Sequence, residues 1–171
     1  LLGMKRILLV HQNWLGDVLF STPAVRAVRK AYPGAHLASL LPARCEGLMR
    51  HNPHVDEVIV YDERIRAFSW LKAFRLWAAL RSRSFDLAIF FHRSGTKAFI
   101  ASCAGIPVRA GLAGKEGSRG SLTVAVAEAG PEEHRLDRSL RVLEALGIAA
   151  DNTSGVSVSV GMEQMYNAIK V

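Results

Sequence analysis

Short apolar runs alternate with longer segments of helical spacing along most of the chain. The apolar runs predict six strands, at residues 5–10, 36–41, 55–61, 85–91, 108–112 and 122–126. The segments between and after them predict helices at residues 17–31, 43–50, 65–83, 97–104 and 132–146. The first and fourth runs are apolar at nearly every position, which is typical of strands covered on both faces. The alternation therefore predicts an α/β fold, a Rossmann-like doubly wound parallel sheet.

In such a sheet, ligands bind outside the carboxyl ends of the strands. The loops at residues 11–17, 92–97 and 112–120 follow predicted strands and are the candidate binding loops. We expect one domain over residues 4–155, followed by a linker or tail at 156–171 that includes one short apolar run.

The segment Leu15-Gly16-Asp17 lies where the first strand passes into the first helix. Gly16 permits a tight turn or the close approach of a ligand. Asp17 lies near the positive end of the helix, which favours its ionised form. A carboxylate at this edge can accept a proton from a hydroxyl group that attacks a substrate. The alternative is that Asp17 caps the helix, and spacing alone favours the cap.

The first loop lacks the glycine fingerprint of dinucleotide sites and the lysine of a P-loop. We therefore expect no cofactor phosphate at this turn.

The predicted helix at 65–83 and the residues just before it carry basic side chains and no acidic one from residue 64 to residue 83. Tryptophan and phenylalanine side chains are interleaved with them. This pattern suits an anionic membrane surface, with contacts expected from Arg64, Arg66, Lys72 and Arg75. The alternative is an ordinary helix that packs its apolar stripe on the sheet.

The glycine-rich loop at 111–120 contains Lys115 and Arg119 and resembles a phosphate cradle, although an ordinary surface loop fits equally well. The formal net charge of +7 also favours anionic partners. Nucleic acid is not expected as a partner, because no recognised nucleic-acid motif is present.

The two cysteines, Cys45 and Cys103, form no close pair, which fits a reducing cytoplasm. The histidines and cysteines lack metal-ligand spacing, so we expect no metal site. No apolar run approaches the roughly 18 residues that span a bilayer. We expect a cytoplasmic protein whose translation starts at Met4, and the basic helix at 65–83 favours a peripheral position at a membrane surface.

Three segments together carry a resemblance to a known family: KRILLV at 5–10, LGDV at 15–18 and TPAVRAVRKAYP at 22–33. They resemble the opening of glycosyltransferase family 9, the ADP-heptose:lipopolysaccharide heptosyltransferases. Residues 85–89 and 104–111 are similar to later parts of that family. The similarity runs over roughly residues 4–150, and the Gly-Asp segment is its most specific part.

The resemblance implies a GT-B architecture, in which an N-terminal domain receives the acceptor and a C-terminal domain binds the nucleotide sugar. It implies inverting transfer of heptose from ADP-heptose to a phosphorylated lipopolysaccharide-core acceptor, without a cofactor. Asp17 matches the family's proposed general base. Acceptor contacts are expected from Asn13, Gly16, Lys115 and Arg119, and from His11 where the family commonly has arginine or lysine.

Nothing in the chain corresponds to the family's nucleotide-sugar domain, so we expect the chain alone to be inactive. The rival interpretation is a non-catalytic module that binds anionic lipid, sugar or a partner protein. A face that a second domain normally covers would also favour self-association.

Overall fold

The computed structural model describes residues 3–61, 70–113, 119–127 and 135–149. The strands of this part of the chain are β1 (Arg6–Val10), β2 (His36–Pro42), β3 (Glu57–Tyr61), β4 (Leu87–Phe90), β5 (Val108–Leu112) and β6 (Val124–Val126). Its α-helices are α1 (Leu15–Phe20), α2 (Thr22–Ala31), α3 (Glu46–Arg50), α4 (Trp70–Arg81), α5 (Gly95–Cys103) and α6 (Arg135–Ala145). Short 3₁₀ turns lie at Ala43–Cys45 and Arg119–Ser121.

The strands form one six-stranded parallel sheet in the order β3-β2-β1-β4-β5-β6. The chain winds outward from β1 to β3 and then crosses to β4 on the other side of β1. The loops that follow β1 and β4 therefore diverge at the centre of the sheet and leave a crevice at its carboxyl edge. The predicted α/β doubly wound fold is confirmed.

The strand β1 is buried on both faces, as its continuous apolar run predicts. Ile7 and Leu9 enter the core layer that contains α2, α3 and α6. Leu8 and Val10 enter the layer that contains α4 and α5. All four side chains are fully buried. Each contributes roughly 1.5–3 kcal/mol on the usual scale of apolar burial, so the central position of β1 is strongly preferred.

The predicted first helix at 17–31 is two helices, because the chain breaks at Ser21. Pro23 lies in the first turn of α2, where its missing N–H is tolerated, whereas inside one continuous helix it would remove a hydrogen bond and clash. The Ser21 hydroxyl donates to the carbonyl of Val18 at 2.6 Å. The helix α1 begins at Leu15 with Trp14 as its N-cap. The expectation that Asp17 caps the helix is therefore wrong.

Two aspartates tie the amino-terminal edge of the sheet together. Asp86 Oδ2 accepts hydrogen bonds from the backbone N–H groups of Lys5 and Arg6, at 2.8 and 2.9 Å. Asp56 Oδ2 accepts from the Leu37 N–H at 2.7 Å and from Arg29. These bonds set the register of the strands at this edge.

Close packing between β4 and β5 allows a test of the fold. Gly111 pairs with Phe90, and a Cβ atom on Gly111 would lie 2.8 Å from the Cβ of Phe90. We expect Gly111→Ala to lower the free energy of unfolding by roughly 1–3 kcal/mol, measured by urea denaturation.

The matched control is Gly47→Ala in α3, where an added Cβ meets no atom within 4 Å. Helix propensity should raise its free energy of unfolding by up to about 1 kcal/mol. Equal stabilities for the two variants would contradict the close β4–β5 contact.

Candidate active site

Asp17 lies at the carboxyl edge of the central strand. The strand β1 ends at Val10, and α1 starts at Leu15 after a four-residue loop. Asp17 is in the first turn of α1, and its residue exposure is only 7%. Free N–H groups of a first helical turn favour negative charge. The fold thus holds a buried carboxylate at the edge where α/β sheets bind their ligands.

The loop between β1 and α1 is held from outside by α3 and its preceding turn. The Arg44 Nε donates to the backbone carbonyl of Asn13 at 2.7 Å. The Arg44 guanidinium also lies 4.8 Å from the ring centroid of Trp14. The Trp14 side chain remains 67% exposed at the entrance to this edge. The loop therefore has a fixed backbone and an exposed aromatic side chain.

A partly buried polar cluster contacts the same loop. We call it the Lys97 cluster, and it consists of Asn13, Tyr61, His92 and Lys97. The Tyr61 hydroxyl donates to Asn13 Oδ1 at 2.5 Å. Lys97 Nζ donates to the Tyr61 hydroxyl and to Asn13 Oδ1, the latter at 3.4 Å. It also lies 3.4 Å from His92 Nε2 and 4.1 Å from the Tyr61 ring centroid.

The members of the Lys97 cluster come from four separate parts of the chain. Asn13 follows β1, Tyr61 ends β3, His92 follows β4, and Lys97 lies in the first turn of α5. Ser94 caps α5 by accepting from the Lys97 N–H, which orients this turn. Lys97 is 8% exposed. The cluster therefore ties the loop before Asp17 to the neighbouring strands through a buried positive charge.

His11 lies inside the core. It is fully buried, with Nδ1 2.8 Å from Ser21 Oγ and Nε2 3.1 Å from Ser39 Oγ. The Ser21 hydroxyl already donates its hydrogen to Val18. In this geometry His11 Nδ1 must be the donor to Ser21, and Nε2 accepts from the Ser39 hydroxyl. His11 therefore supports the turn between α1 and α2.

Burial and, to a smaller extent, the positive charge of Lys97 together lower the pKa of His11 to about 3. Burial, followed by Lys97 and His11, likewise lowers the pKa of His92 to about 3. Both rings are neutral near pH 7. Sequence analysis predicts an acceptor contact from His11, and in the structure both of its ring nitrogen atoms are hydrogen-bonded to side chains inside the protein.

The structure describes only some of the other predicted site residues. Gly16 is helical, and an added Cβ would meet no atom within 4 Å, so a tight turn does not explain the glycine. Open space beside α1 remains, and it suits the close approach of a ligand. The predicted contacts Arg64, Arg66 and Lys115 lie outside the described residues. Only the backbone of Arg119 is described, in a 3₁₀ turn.

Lys72 and Arg75 lie on α4. Together with Tyr61 they line a groove of about 240 Å³ between α4 and the edge strand β3. Tyr61 is thus common to this groove and to the Lys97 cluster.

Sequence reasoning missed Tyr61, His92 and Lys97 as members of the site. The signal available was positional: His92 and Lys97 flank the candidate loop after β4, and Tyr61 ends β3. Among the described residues there is no group of three or more potential metal ligands.

No family model matches the chain. Over 110 residues it is 30% identical to lipopolysaccharide heptosyltransferase 2 of Escherichia coli (strain K12), a match that covers 64% of this chain and 32% of the relative. A glycosyl transferase family 9 structure from Veillonella parvula superimposes with a TM-score of 0.75 at 26% identity, covering 88% of this chain and 43% of that one. The structure of E. coli ADP-heptose lps heptosyltransferase II gives 0.68 at 27% identity, with coverages of 80% and 39%.

These matches confirm the resemblance to glycosyltransferase family 9. The chain is similar to the heptosyltransferases of this family in sequence and in fold, and for that similarity we call it the heptosyltransferase-like domain. The aligned part is about a third of the length of the curated relative that it matches. Within the heptosyltransferase-like domain, Asp17 is a carboxylate in the first turn of α1, and the Lys97 cluster contacts Asn13 in the loop that precedes this helix.

The neutral state of His11 makes the stability of the heptosyltransferase-like domain depend on pH. Its pKa falls from 6.5 to about 3 on folding, so between these values the unfolded chain binds the extra proton. We expect the free energy of unfolding to fall as the pH drops below about 6.5, by up to about 1.4 kcal/mol per pH unit from this residue. Urea denaturation at a series of pH values measures the slope.

The control is His11→Asn, which keeps a polar side chain but removes the titrating ring. It should show a shallower slope than the unaltered chain. An unchanged slope would contradict the assignment of this acid sensitivity to His11.

Proposed function

We propose that this domain is the acceptor-side part of a lipopolysaccharide heptosyltransferase and that Asp17 is its general base. One observation carries the proposal: a buried carboxylate lies in the first turn of the helix that follows the central strand, at the carboxyl edge of the sheet. The similarity to heptosyltransferases selects sugar transfer among the reactions that such a carboxylate can serve.

In the proposed reaction, an acceptor hydroxyl donates a hydrogen bond to the Asp17 carboxylate. The hydroxyl oxygen forms a bond to the anomeric carbon of ADP-heptose as the bond from that carbon to the ADP oxygen breaks. The proton passes to Asp17, and ADP leaves with the electron pair of the broken bond. The anomeric configuration inverts, because attack and departure occur on opposite faces. The step needs no cofactor, and the donor is held mainly by protein outside this chain.

The surroundings of Asp17 suit this role. The Arg44 and Tyr61 contacts with Asn13 hold the preceding loop in one position, which reduces the entropy lost when the acceptor binds. Neutral His11 and His92 leave Lys97 as a fixed positive charge in this edge of the domain. A positive field attracts a phosphorylated acceptor. Cys45 and Cys103 are both free thiols, which fits the proposed cytoplasmic site of the reaction.

We expect Asp17→Asn to lower the rate of heptose transfer by roughly 10²–10⁴-fold, the usual contribution of a general base. The measurement is transfer from ADP-heptose to a lipopolysaccharide-core acceptor by the product of the complete source reading frame. Asparagine keeps the size and the helical position of the side chain, so acceptor binding, measured by calorimetry, should change little.

Two results would count against this proposal. Transfer at an unchanged rate by the Asp17→Asn variant would remove Asp17 as the base. Acceptor binding without any transfer by the unaltered protein would favour a non-catalytic binding module.

The open space beside Gly16 generates a second test. Because an added Cβ meets nothing within 4 Å, Gly16→Ala should raise the free energy of unfolding by up to about 1 kcal/mol through helix propensity. If the acceptor approaches this backbone, the same variant should raise KM for the acceptor several-fold in the transfer assay. A variant that is more stable and unchanged in KM would place the acceptor elsewhere.

A further inference from the structure

The loop between β1 and α1 turns one large side chain outward. His11 is fully buried, and the side-chain oxygen of Asn13 accepts hydrogen bonds from Tyr61 and Lys97. Trp14 is instead 67% exposed, whereas the other residues of the loop at 11–14 are buried or half-buried. The side chain that this loop presents to a ligand is therefore the Trp14 indole.

Trp14 departs from the local preferences of helix formation. It occupies the N-cap of α1, where its side chain makes no capping hydrogen bond. Serine, threonine, aspartate and asparagine are preferred at this position, because their side-chain oxygen accepts from an N–H group of the first turn. An exposed tryptophan supplies neither that bond nor the burial of a large apolar surface. Such departures from local preference occur at functional sites.

Arg44 supports the indole ring from one side. Its guanidinium lies 4.8 Å from the Trp14 ring centroid, and its Nε donates to the Asn13 carbonyl at 2.7 Å. The Trp14 carbonyl accepts from the Val18 N–H at 3.1 Å. The ring is thus held by a side-chain contact and by a fixed backbone, while most of its surface faces solvent. An aromatic ring that is already in place binds a ligand at a low cost in conformational entropy.

The indole ring also lies close to the candidate general base. Asp17 is the third residue of α1, and Trp14 is the N-cap of the same helix. Side chains at these two positions are near enough to reach each other's backbone. Gly16, which lies between them, is exposed and leaves open space where a side chain would otherwise stand. A ring that lies on Trp14 can therefore present a hydroxyl group to Asp17.

We propose that Trp14 is a stacking subsite for a sugar ring of the acceptor. The face of an indole ring carries partial negative charge. The C–H groups along one side of a pyranose ring carry partial positive charge, so the two surfaces attract each other and exclude water. Aromatic side chains combined with a few polar groups are the usual lining of small-molecule sites. The inference rests on the proposed transfer reaction and deepens it, because it names the residue that selects a carbohydrate as acceptor.

The position of Trp14 favours the acceptor over the donor. Trp14 belongs to the same helical turn as Asp17, and the proposed reaction requires Asp17 to contact the acceptor hydroxyl. The donor is proposed to be held mainly by protein outside this chain. Adenine also stacks on aromatic side chains, so ADP is the comparison ligand in the experiments.

Steady-state kinetics test the subsite with the product of the complete source reading frame. Trp14→Ser should raise KM for a deacylated lipopolysaccharide core by about tenfold to thirtyfold. The value of kcat should change by less than about threefold, because the ring contacts a part of the acceptor that does not react. KM for ADP-heptose should stay the same. Trp14→Phe keeps an aromatic face and should bring KM for the core to within about threefold of the unaltered value.

Phe99→Ser is the matched control. Phe99 is 61% exposed on α5, so this variant removes an exposed aromatic ring that is not part of the loop between β1 and α1. It should leave KM for the core unchanged. Urea denaturation checks for a structural role of Trp14. Serine can cap α1, so the Trp14→Ser variant should be at least as stable as the unaltered chain.

A binding measurement separates this inference from the proposed reaction, because it needs no transfer. Addition of the deacylated core to this chain should change the tryptophan emission, whereas addition of ADP should not. Trp14→Phe should lose the emission change although calorimetry still detects binding of the core. Asp17→Asn should keep both the emission change and the binding, so a failure of the proposed general base leaves the stacking subsite intact.

Four results would overturn the inference. Two are an unchanged KM for the core in Trp14→Ser and an equal rise in KM in the Phe99→Ser control. The third is a rise confined to KM for ADP-heptose, which would assign the indole ring to the donor. The fourth is an absence of core binding by the unaltered chain, in which case the transfer assay judges the proposed function separately. A less stable Trp14→Ser variant, together with no recovery of KM in Trp14→Phe, would assign Trp14 a structural role instead.

Discussion

The burial of β1 on both of its faces is the constraint on which the rest of this domain depends. A strand whose residues 7–10 are all apolar is stable inside a sheet that has helices on both faces. Its neighbours are then β2 and β4, and the chain must change direction between them. The loop that leaves β1 is consequently at the switch point of the sheet. Asp17 lies in the crevice because Ile7, Leu8, Leu9 and Val10 place the strand before it at the centre.

The polar groups at the carboxyl edge depend on Lys97. A buried ammonium group is stable only where oxygen atoms and aromatic rings surround it, and Tyr61 and Asn13 supply these. The same charge helps to keep His11 and His92 neutral. Neutral His11 then donates a hydrogen bond to Ser21, which lies at the break between α1 and α2. One buried cation thus links the electrostatics of the edge to the geometry of the helix that carries Asp17.

The apolar side chains of α4 are divided between packed and exposed positions. Leu76 and Leu80 pack on the sheet, and Trp77 is bound to α5, so the carboxyl-terminal half is a structural element. Trp70 and Phe74 remain exposed although their burial would stabilise the fold by roughly 1.5–3 kcal/mol each. The sequence pattern predicted both a packing helix and a surface-binding helix as alternatives. The structure shows that packing uses one part of the helix and leaves an exposed apolar side on the other.

The sequence by itself determined the order of the elements, the parallel sheet and the position of Asp17 after the central strand, because apolar periodicity and strand order are local properties. The sequence did not determine the break between α1 and α2 at Ser21. That break depends on how Pro23 and the Ser21 hydroxyl are accommodated in the folded chain. Nor did it determine that His11 is buried and neutral or that Asn13, Tyr61, His92 and Lys97 meet. Those residues are up to 84 positions apart and lie on different elements. Only the tertiary structure brings them together, because burial and charge proximity are set by packing between distant segments.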